Sequence, residues 1–341
     1  MKTLVFWLNA ARKTALPQSV IPAILALCMA VKADSFSLPL ALLAVVGVAA
    51  AHLGMNLFDD YFDYRKKGSV AIREELAGAG FRARLGKCNF ILSGEATARH
   101  YLVAACTFCG VAVVLGDIIA YYQGVEVFWY VLIGGFLGIF YSGYPIRFSY
   151  YGLGEVLIGI MFGPLLMSGV YYAATGTQDL AVWWVSVAVG LLVANIVYTH
   201  AVMDYEPDKG IGKMTLAVLI GGKRGMMAAS ALLTFLPYVV MVTGVVWSVL
   251  PVSFLLTLLT LPMAVGLFRR MRLFTRDERT ESLTPRFWMG PMENWELIRT
   301  AGIDWFMIRW MLSRNLLSIF CLIILILSFL PYTYIQVISH G

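Results

Sequence analysis

The chain has 341 residues, of which 60% are hydrophobic and only 13% charged, and its mean hydropathy is +0.77. Soluble domains average about 25% charged residues, so the composition excludes a soluble protein and indicates a polytopic membrane protein. The net charge of +6 is then a matter of how basic residues distribute about a bilayer, not a sign of nucleic-acid binding.

Hydrophobic runs predict nine spans, at 15–33, 38–58, 99–121, 127–143, 153–174, 181–203, 226–247, 249–268 and 315–336. The expected fold class is all-α: a nine-helix bundle forming a single transmembrane domain over 1–341. The opening residues lack a signal-peptide layout, because Arg12 and Lys13 interrupt any early apolar core. With the N-terminus in the cytoplasm and the C-terminus outside, 25 of the 26 Lys and Arg residues fall on the inner face, leaving only Lys32 outside. That bias orients a multi-pass protein of the cell's inner (cytoplasmic) membrane. An extended cytoplasmic or interfacial segment is expected over 269–314, where Trp288, Trp295, Trp305 and Trp310 mix with arginines. Such a mixture suits a helix lying in the membrane interface, an anchor apart from any chemistry. The five cysteines form no disulfide framework, and Cys106 and Cys109 read as packing residues on an apolar helix.

Two acidic clusters end the second and sixth spans. The first is Asn56-Leu-Phe-Asp59-Asp60-Tyr-Phe-Asp63, the second Asp204-Tyr-Glu-Pro-Asp208. Carboxylates at the edge of hydrocarbon mark a functional site and need a partner. On a helix, Asn56, Asp60 and Asp63 share one face, with Asp59 one turn before Asp63. Both helices run from outside to inside, so the acids stand at C-termini, where the macrodipole and their mutual repulsion both oppose them. Bound cations, nearby Lys or Arg, or protonation must then compensate. Hard oxygen donors suit Mg²⁺, which takes one or two carboxylates plus phosphates and waters. In the second cluster His200, Asp204 and Asp208 are spaced by four, with Pro207 expected to end the helix and move Asp208 into the next turn. Lys67, Arg82, Arg84 and Lys213 are placed to neutralise a diphosphate. The competing reading makes these acids solvated loop-edge charges paired with local Lys and Arg. The four-helix offset between the clusters hints at an old tandem repeat.

A third segment, Tyr141-Ser-Gly-Tyr144-Pro145-Ile-Arg147 followed by Tyr150-Tyr-Gly-Leu-Gly154-Glu155 and Phe162-Gly163-Pro164, supplies small residues and proline inside a span. These let helices approach closely or open a cavity. Its aromatic rings can face a developing carbocation, and Glu155 is an acid just inside a span.

Together these segments resemble the UbiA superfamily of membrane prenyltransferases, most closely the 1,4-dihydroxy-2-naphthoate prenyltransferases of menaquinone synthesis. The match is carried by Asn56 through Gly68, Ser93-Gly94, Tyr141 through Glu155, Phe162-Gly163-Pro164, and Asn195, Asp204 and Asp208 through Ala217. It covers roughly 15–268. The resemblance implies Mg²⁺-dependent transfer of a polyprenyl group from polyprenyl diphosphate to an aromatic acceptor. Asp59, Asp60 and Asp63 would hold one metal, and Asp204 with Asp208 the other. Asn56, Lys67, Arg82, Arg84, Tyr141, Tyr144, Arg147, Glu155, Asn195, His200 and Lys213 would bind substrate. The chain departs from the family pattern at Asp59, where Asn is usual, at Ser69-Val70, and at His200, Ala201 and Met203. Other acceptors stay open: 4-hydroxybenzoate, a haem, a chlorophyll precursor or a glycerol phosphate lipid. A cation-coupled transporter is the alternative from a different class.

Overall fold

The computed structural model describes residues 3–78, 88–210, 212–277 and 283–333, with 66–78 described by their backbone alone. Among the described residues the fold is all-α, with a lone backbone bridge between Tyr151 and Met214 in place of any sheet. In chain order the helices are α1 (Leu4–Ala10), α2 (Pro17–Ala30), α3 (Leu38–Gly78), α4 (Asn89–Leu92) and α5 (Ala98–Gln123). There follow α6 (Glu126–Ser142), α7 (Gly154–Ile160), α8 (Leu166–Thr175), α9 (Leu180–Met203) and α10 (Tyr205–Gly210). The chain ends with α11 (Leu216–Ile220), α12 (Lys223–Val246), α13 (Leu261–Thr275), α14 (Trp295–Thr300) and α15 (Asp304–Ser328).

Seven helical runs are long and apolar enough to cross a membrane, and α2 and α6 are shorter apolar helices beside them. All nine fall where hydropathy places spans, and this is a multi-pass membrane protein. The 14 residues of α2 reach only about 21 Å, less than a ~30 Å hydrocarbon core, so this helix by itself is too short to cross.

Local chemistry sets the helix ends. Pro17 starts α2, where its missing N–H is no loss. Thr97 and His100 form a reciprocal cap on α5, and the Asp179 carboxylate accepts the Ala181 N–H at 2.6 Å to start α9. Gly176 takes the left-handed conformation that stops α8, with φ at 70°.

Two boundaries differ from the hydropathy reading. Helix α3 does not stop near residue 58 but runs on to Gly78, so the first acidic cluster sits inside a continuous helix. Its backbone carbonyls are engaged there, and the expected conflict with a helix C-terminus disappears. The last helix begins at Asp304, eleven residues before the apolar run at 315. Hydropathy missed these turns, about three of them, because Asp304, Arg309 and Arg314 dilute the run. The segment expected over 269–314 thus shrinks to the stretch between α13 and α15. Trp305 and Trp310 lie on α15, and with Trp288 and Trp295 they pack against the larger apolar core.

Helix α9 is the axis of the bundle, with 61% of its apolar window buried against 22% for α5, which faces lipid. Apolar side chains gain little by leaving lipid for one another, so close contact of small residues must hold such helices together. A β-carbon on Gly163 would lie 2.5 Å from both the Ser186 carbonyl oxygen and the Gly190 Cα. One on Gly190 would lie 2.5 Å from the Gly159 carbonyl oxygen. At this crossing Pro164 lacks an N–H, and the chain loosens into a π-turn over Met161–Leu165 between α7 and α8. Gly163→Leu is expected to lower stability by about 1–3 kcal/mol or more through overpacking. A thermal melt in detergent, with Gly135→Leu at an open position as control, checks this.

Candidate active site

Four of the five candidate metal-holding carboxylates are buried: Asp60, Asp63, Asp204 and Asp208 keep between 0 and 6% of their surface. Solvated loop-edge acids would not be, so that competing reading fails. Buried carboxylates must be paired, and the pairing is specific.

Arg12, just after α1, carries the first cluster's counter-charge. Its guanidinium lies 3.1 Å from Asp59 Oδ2 and 3.3 Å from Asp60 Oδ1, and donates to the Asn56 carbonyl oxygen at 3.1 Å. Asp59 also accepts from Ser142 Oγ at 2.5 Å, and Asp60 from the Cys88 backbone N–H at 2.9 Å. Asp63 accepts from the Tyr150 hydroxyl at 2.5 Å. Asn56 donates to the Ala11 carbonyl oxygen at 2.9 Å, tying α3 to the residues that present Arg12. Burial disfavours the Arg12 charge, but Asp60 and Asp59 outweigh that and raise its pKa above the ordinary arginine value. Arg12 and Arg147 both sit in the left-handed region, at φ 56°, a conformation that side chains other than glycine occupy at a cost of about 1–2 kcal/mol.

In the second cluster Asp204 caps the C-terminus of α9, and its Oδ2 lies 2.9 Å from Nε2 of His200. The His200 ring meets Phe306 of α15 edge-on at 5.1 Å. The break comes earlier than expected: α9 ends at Met203 with Asp204 as its cap, and Pro207 lies inside α10, which carries Asp208. The Lys213 N–H donates to the Asp208 carbonyl oxygen at 2.9 Å.

The loop between α6 and α7 joins the clusters. At one end Ser142 and Tyr150 hold Asp59 and Asp63. At the other, the Gly152 N–H donates to the Met214 carbonyl oxygen at 2.6 Å, and both Glu155 oxygens accept the Leu216 N–H at 3.1 and 3.2 Å. Asp208 and Lys213 are near enough to act electrostatically on Glu155. Arg147, buried in the same loop, stacks its guanidinium over Tyr144 at 4.1 Å and Tyr150 at 4.9 Å.

An apolar cavity of about 510 Å³ opens beside the first cluster. Arg12, Asn56, Asp59 and Tyr141 line its polar end, and Ile119, Val127, Tyr130 and Ala173 line it farther along. Its wall on α3 is one helical stripe, Ala44, Val48, His52, Asn56 and Asp59, running about 22 Å. Asp60 and Asp63 face away from this cavity toward Cys88 and Tyr150.

Not every candidate joins the site. Asn195 is buried between α9 and α12, where its Oδ1 accepts from Thr234 at 3.4 Å, and Tyr144 is 70% exposed. Arg82 and Arg84 lie outside the described residues, as does the side chain of Lys67. Among the described residues no three of His, Cys, Asp and Glu converge as a preformed metal cage. The reading from sequence missed Arg12, Ser142 and Tyr150. In sequence Arg12 speaks to topology and against a signal peptide, although a basic residue near an acid-bearing span is also a pairing signal. Ser142 and Tyr150 belong to the third segment singled out above, but nothing in the sequence marks them as partners of Asp59 and Asp63, since only the loop's path brings them to α3.

The site and fold together define a class: a multi-pass helical membrane protein with two groups of buried acids, one of them on the helix whose Asp59 closes the end of an apolar cavity. The model of the UbiA prenyltransferase family matches residues 19–290, and the chain belongs to that family and is a prenyltransferase. It is 27% identical to a 1,4-dihydroxy-2-naphthoate octaprenyltransferase of Mycobacterium tuberculosis over 69% of this chain and 78% of that one. A UbiA prenyltransferase domain-containing protein 1 homolog of Drosophila melanogaster is 28% identical, over 82% of this chain and 74% of its own length. A solved UbiA homolog from Archaeoglobus fulgidus, bound to GPP and Mg²⁺, superposes with a TM-score of 0.57 at 15% identity. That match covers 92% of this chain and 99% of the other, so the fold is shared.

Removing Arg12 strands two acids. Arg12→Ala is expected to destabilise the protein by on the order of 3 kcal/mol, and Arg12→Ala with Asp59→Asn and Asp60→Asn to regain much of that. Denaturant or thermal unfolding of the purified variants checks both.

Proposed function

We propose that this protein transfers a polyprenyl group from polyprenyl diphosphate to an aromatic carbon, with 1,4-dihydroxy-2-naphthoate, in menaquinone synthesis, as the favoured acceptor. The reading rests chiefly on one observation: an apolar cavity of about 510 Å³ ends at Asp59, Asn56 and Arg12, with the buried Asp60 and Asp63 within one turn of Asp59 on the same helix. The cavity suits an isoprenoid tail, and the polar end suits its diphosphate. The 1,4-dihydroxy-2-naphthoate octaprenyltransferase relative supports the acceptor choice. Transport by coupled ions no longer competes, because the family is one of transferases.

The donor set fits Mg²⁺, being hard carboxylate oxygens without thiolates, in pairs that leave coordination positions for phosphates and water. Asp59, Asp60 and Asp63 would hold one ion, and Asp204 with Asp208 another. When bound, the metal neutralises charge that develops on the departing diphosphate. Lys213, presented beside Asp208, adds a cation on the same side. Arg12 offers a further positive group at the polar end of the cavity. The apolar walls exclude water from the allylic cation, which water would otherwise quench. Tyr141 lines the polar end, where an aromatic face attracts a cation. The site faces the cytoplasm of the inner membrane, with the N-terminus on that side and the C-terminus outside. One transmembrane domain carries the whole activity.

Purified protein supplied with geranyl diphosphate and candidate acceptors is expected to release diphosphate with Mg²⁺ and not with EDTA. Mass spectrometry of the product identifies the acceptor. Asp60→Asn and Asp204→Asn are each expected to slow transfer by on the order of a hundredfold or more while expression holds. Wild-type turnover in both would reject the metal assignment. Lys213→Ala is expected to raise KM for the prenyl diphosphate, and unchanged KM and kcat would remove that residue from the site.

A further inference from the structure

One polar group in the apolar cavity is unexplained by a hydrocarbon tail. His52 lies on the cavity-lining stripe of α3, one turn before Asn56 and two before Asp59, and only 8% of its surface is exposed. Its Nδ1 is 2.6 Å from Oγ of Ser19 on α2, which is wholly buried. The Ser19 hydroxyl has one proton and two acceptors within reach, the Leu16 carbonyl oxygen at 3.1 Å and Nδ1 of His52. When that proton goes to Leu16, Ser19 accepts from His52 and a neutral imidazole carries its proton on Nδ1. In that tautomer Nε2 is a bare acceptor on the edge of the ring turned from Ser19. The ring of Phe162, which also lines the cavity, lies 5.0 Å from the imidazole at 42°.

An isoprenoid chain has no donor for such a nitrogen. We infer that His52, locked in this tautomer by Ser19, is the docking point for the hydroxyl of a hydroxylated aromatic acceptor, with Phe162 against the acceptor's ring. The inference rests on the prenyl-transfer reading and adds to it the acceptor's place and the residue that holds its hydroxyl. Nε2 takes the phenolic O–H in a hydrogen bond, which keeps electron density on the ring. The acceptor then lies about 6–10 Å along α3 from Asn56 and Asp59, beside the first carbons of a tail whose diphosphate sits at the acids. A ring lacking the hydroxyl leaves Nε2 unsatisfied in an apolar wall, so the site selects for that group.

Binding measured by tryptophan fluorescence, without oxygen, tests this with 1,4-dihydroxynaphthalene, 1,4-dimethoxynaphthalene and geranyl diphosphate. The wild type is expected to bind the dihydroxy compound roughly tenfold more tightly than the dimethoxy one, as a hydrogen bond gained or lost predicts. His52→Leu is expected to abolish that preference while leaving geranyl diphosphate affinity unchanged. Ser19→Ala, which frees the tautomer, is expected to reduce the preference in part, and His52→Gln, which retains an acceptor oxygen, to keep more of it than His52→Leu. The two milder variants decide the matter if His52→Leu does not fold. Full preference in His52→Leu, or in both milder variants, overturns the inference alone, as does an equal loss for all three ligands. A wild type that binds no geranyl diphosphate overturns the transferase reading as well.

Discussion

Negative charge placed where water is scarce is the constraint on which this architecture depends. An ionised carboxylate taken from water without a partner costs several kcal/mol, more than most single contacts contribute to stability. Around Asp59, Asp60 and Asp63 the fold answers with a guanidinium from the N-terminal arm, a serine from the end of α6, a backbone N–H and a tyrosine hydroxyl. Around Asp204 it answers with His200 one turn back on the same helix. These groups come from four separate stretches of chain. The acids thus fix how the arm, the α6–α7 loop and α3 meet.

The same arrangement separates two environments within a few turns of helix. On α3 the stripe that carries Asn56 and Asp59 continues upward as His52, Val48 and Ala44, so one face passes from acidic to apolar. An amphiphile with a charged head and a long tail matches that gradient. Asp59, which stands where the family usually has Asn, is the acid that lines the cavity, and Arg12 and Ser142 absorb its extra charge. The close crossing at Gly159, Gly163 and Gly190 brings α7 onto α9, and the π-turn that follows forms part of the cavity wall.

The C-terminal quarter is more than an anchor. Phe306, buried near the start of α15, packs against the imidazole that pairs with Asp204. Phe274 and Trp305 stack nearly parallel at 5.7 Å and join α13 to the same region. Packing of α15 on α9 therefore reaches the second acidic cluster through a single ring.

The sequence by itself determined the class of fold and the identity of the acids. Apolar runs long enough for a bilayer admit little besides helices, because every backbone polar group in lipid must be satisfied within its own segment. Charged residues are rare in such runs, so Asp60 and Asp204 stood out without any structure. Boundaries were legible only where polarity changes sharply: α3 runs through its acids because partners from elsewhere neutralise them, and α15 begins early because Arg309 is buried among groups of α13 and its own first turn. Tertiary structure alone decided which group meets which carboxylate. Arg12 and Asp59 lie 47 residues apart, and Tyr150 and Asp63 lie 87 apart. Hydropathy and helical periodicity describe neighbours along one segment, whereas these pairings depend on how separate segments cross.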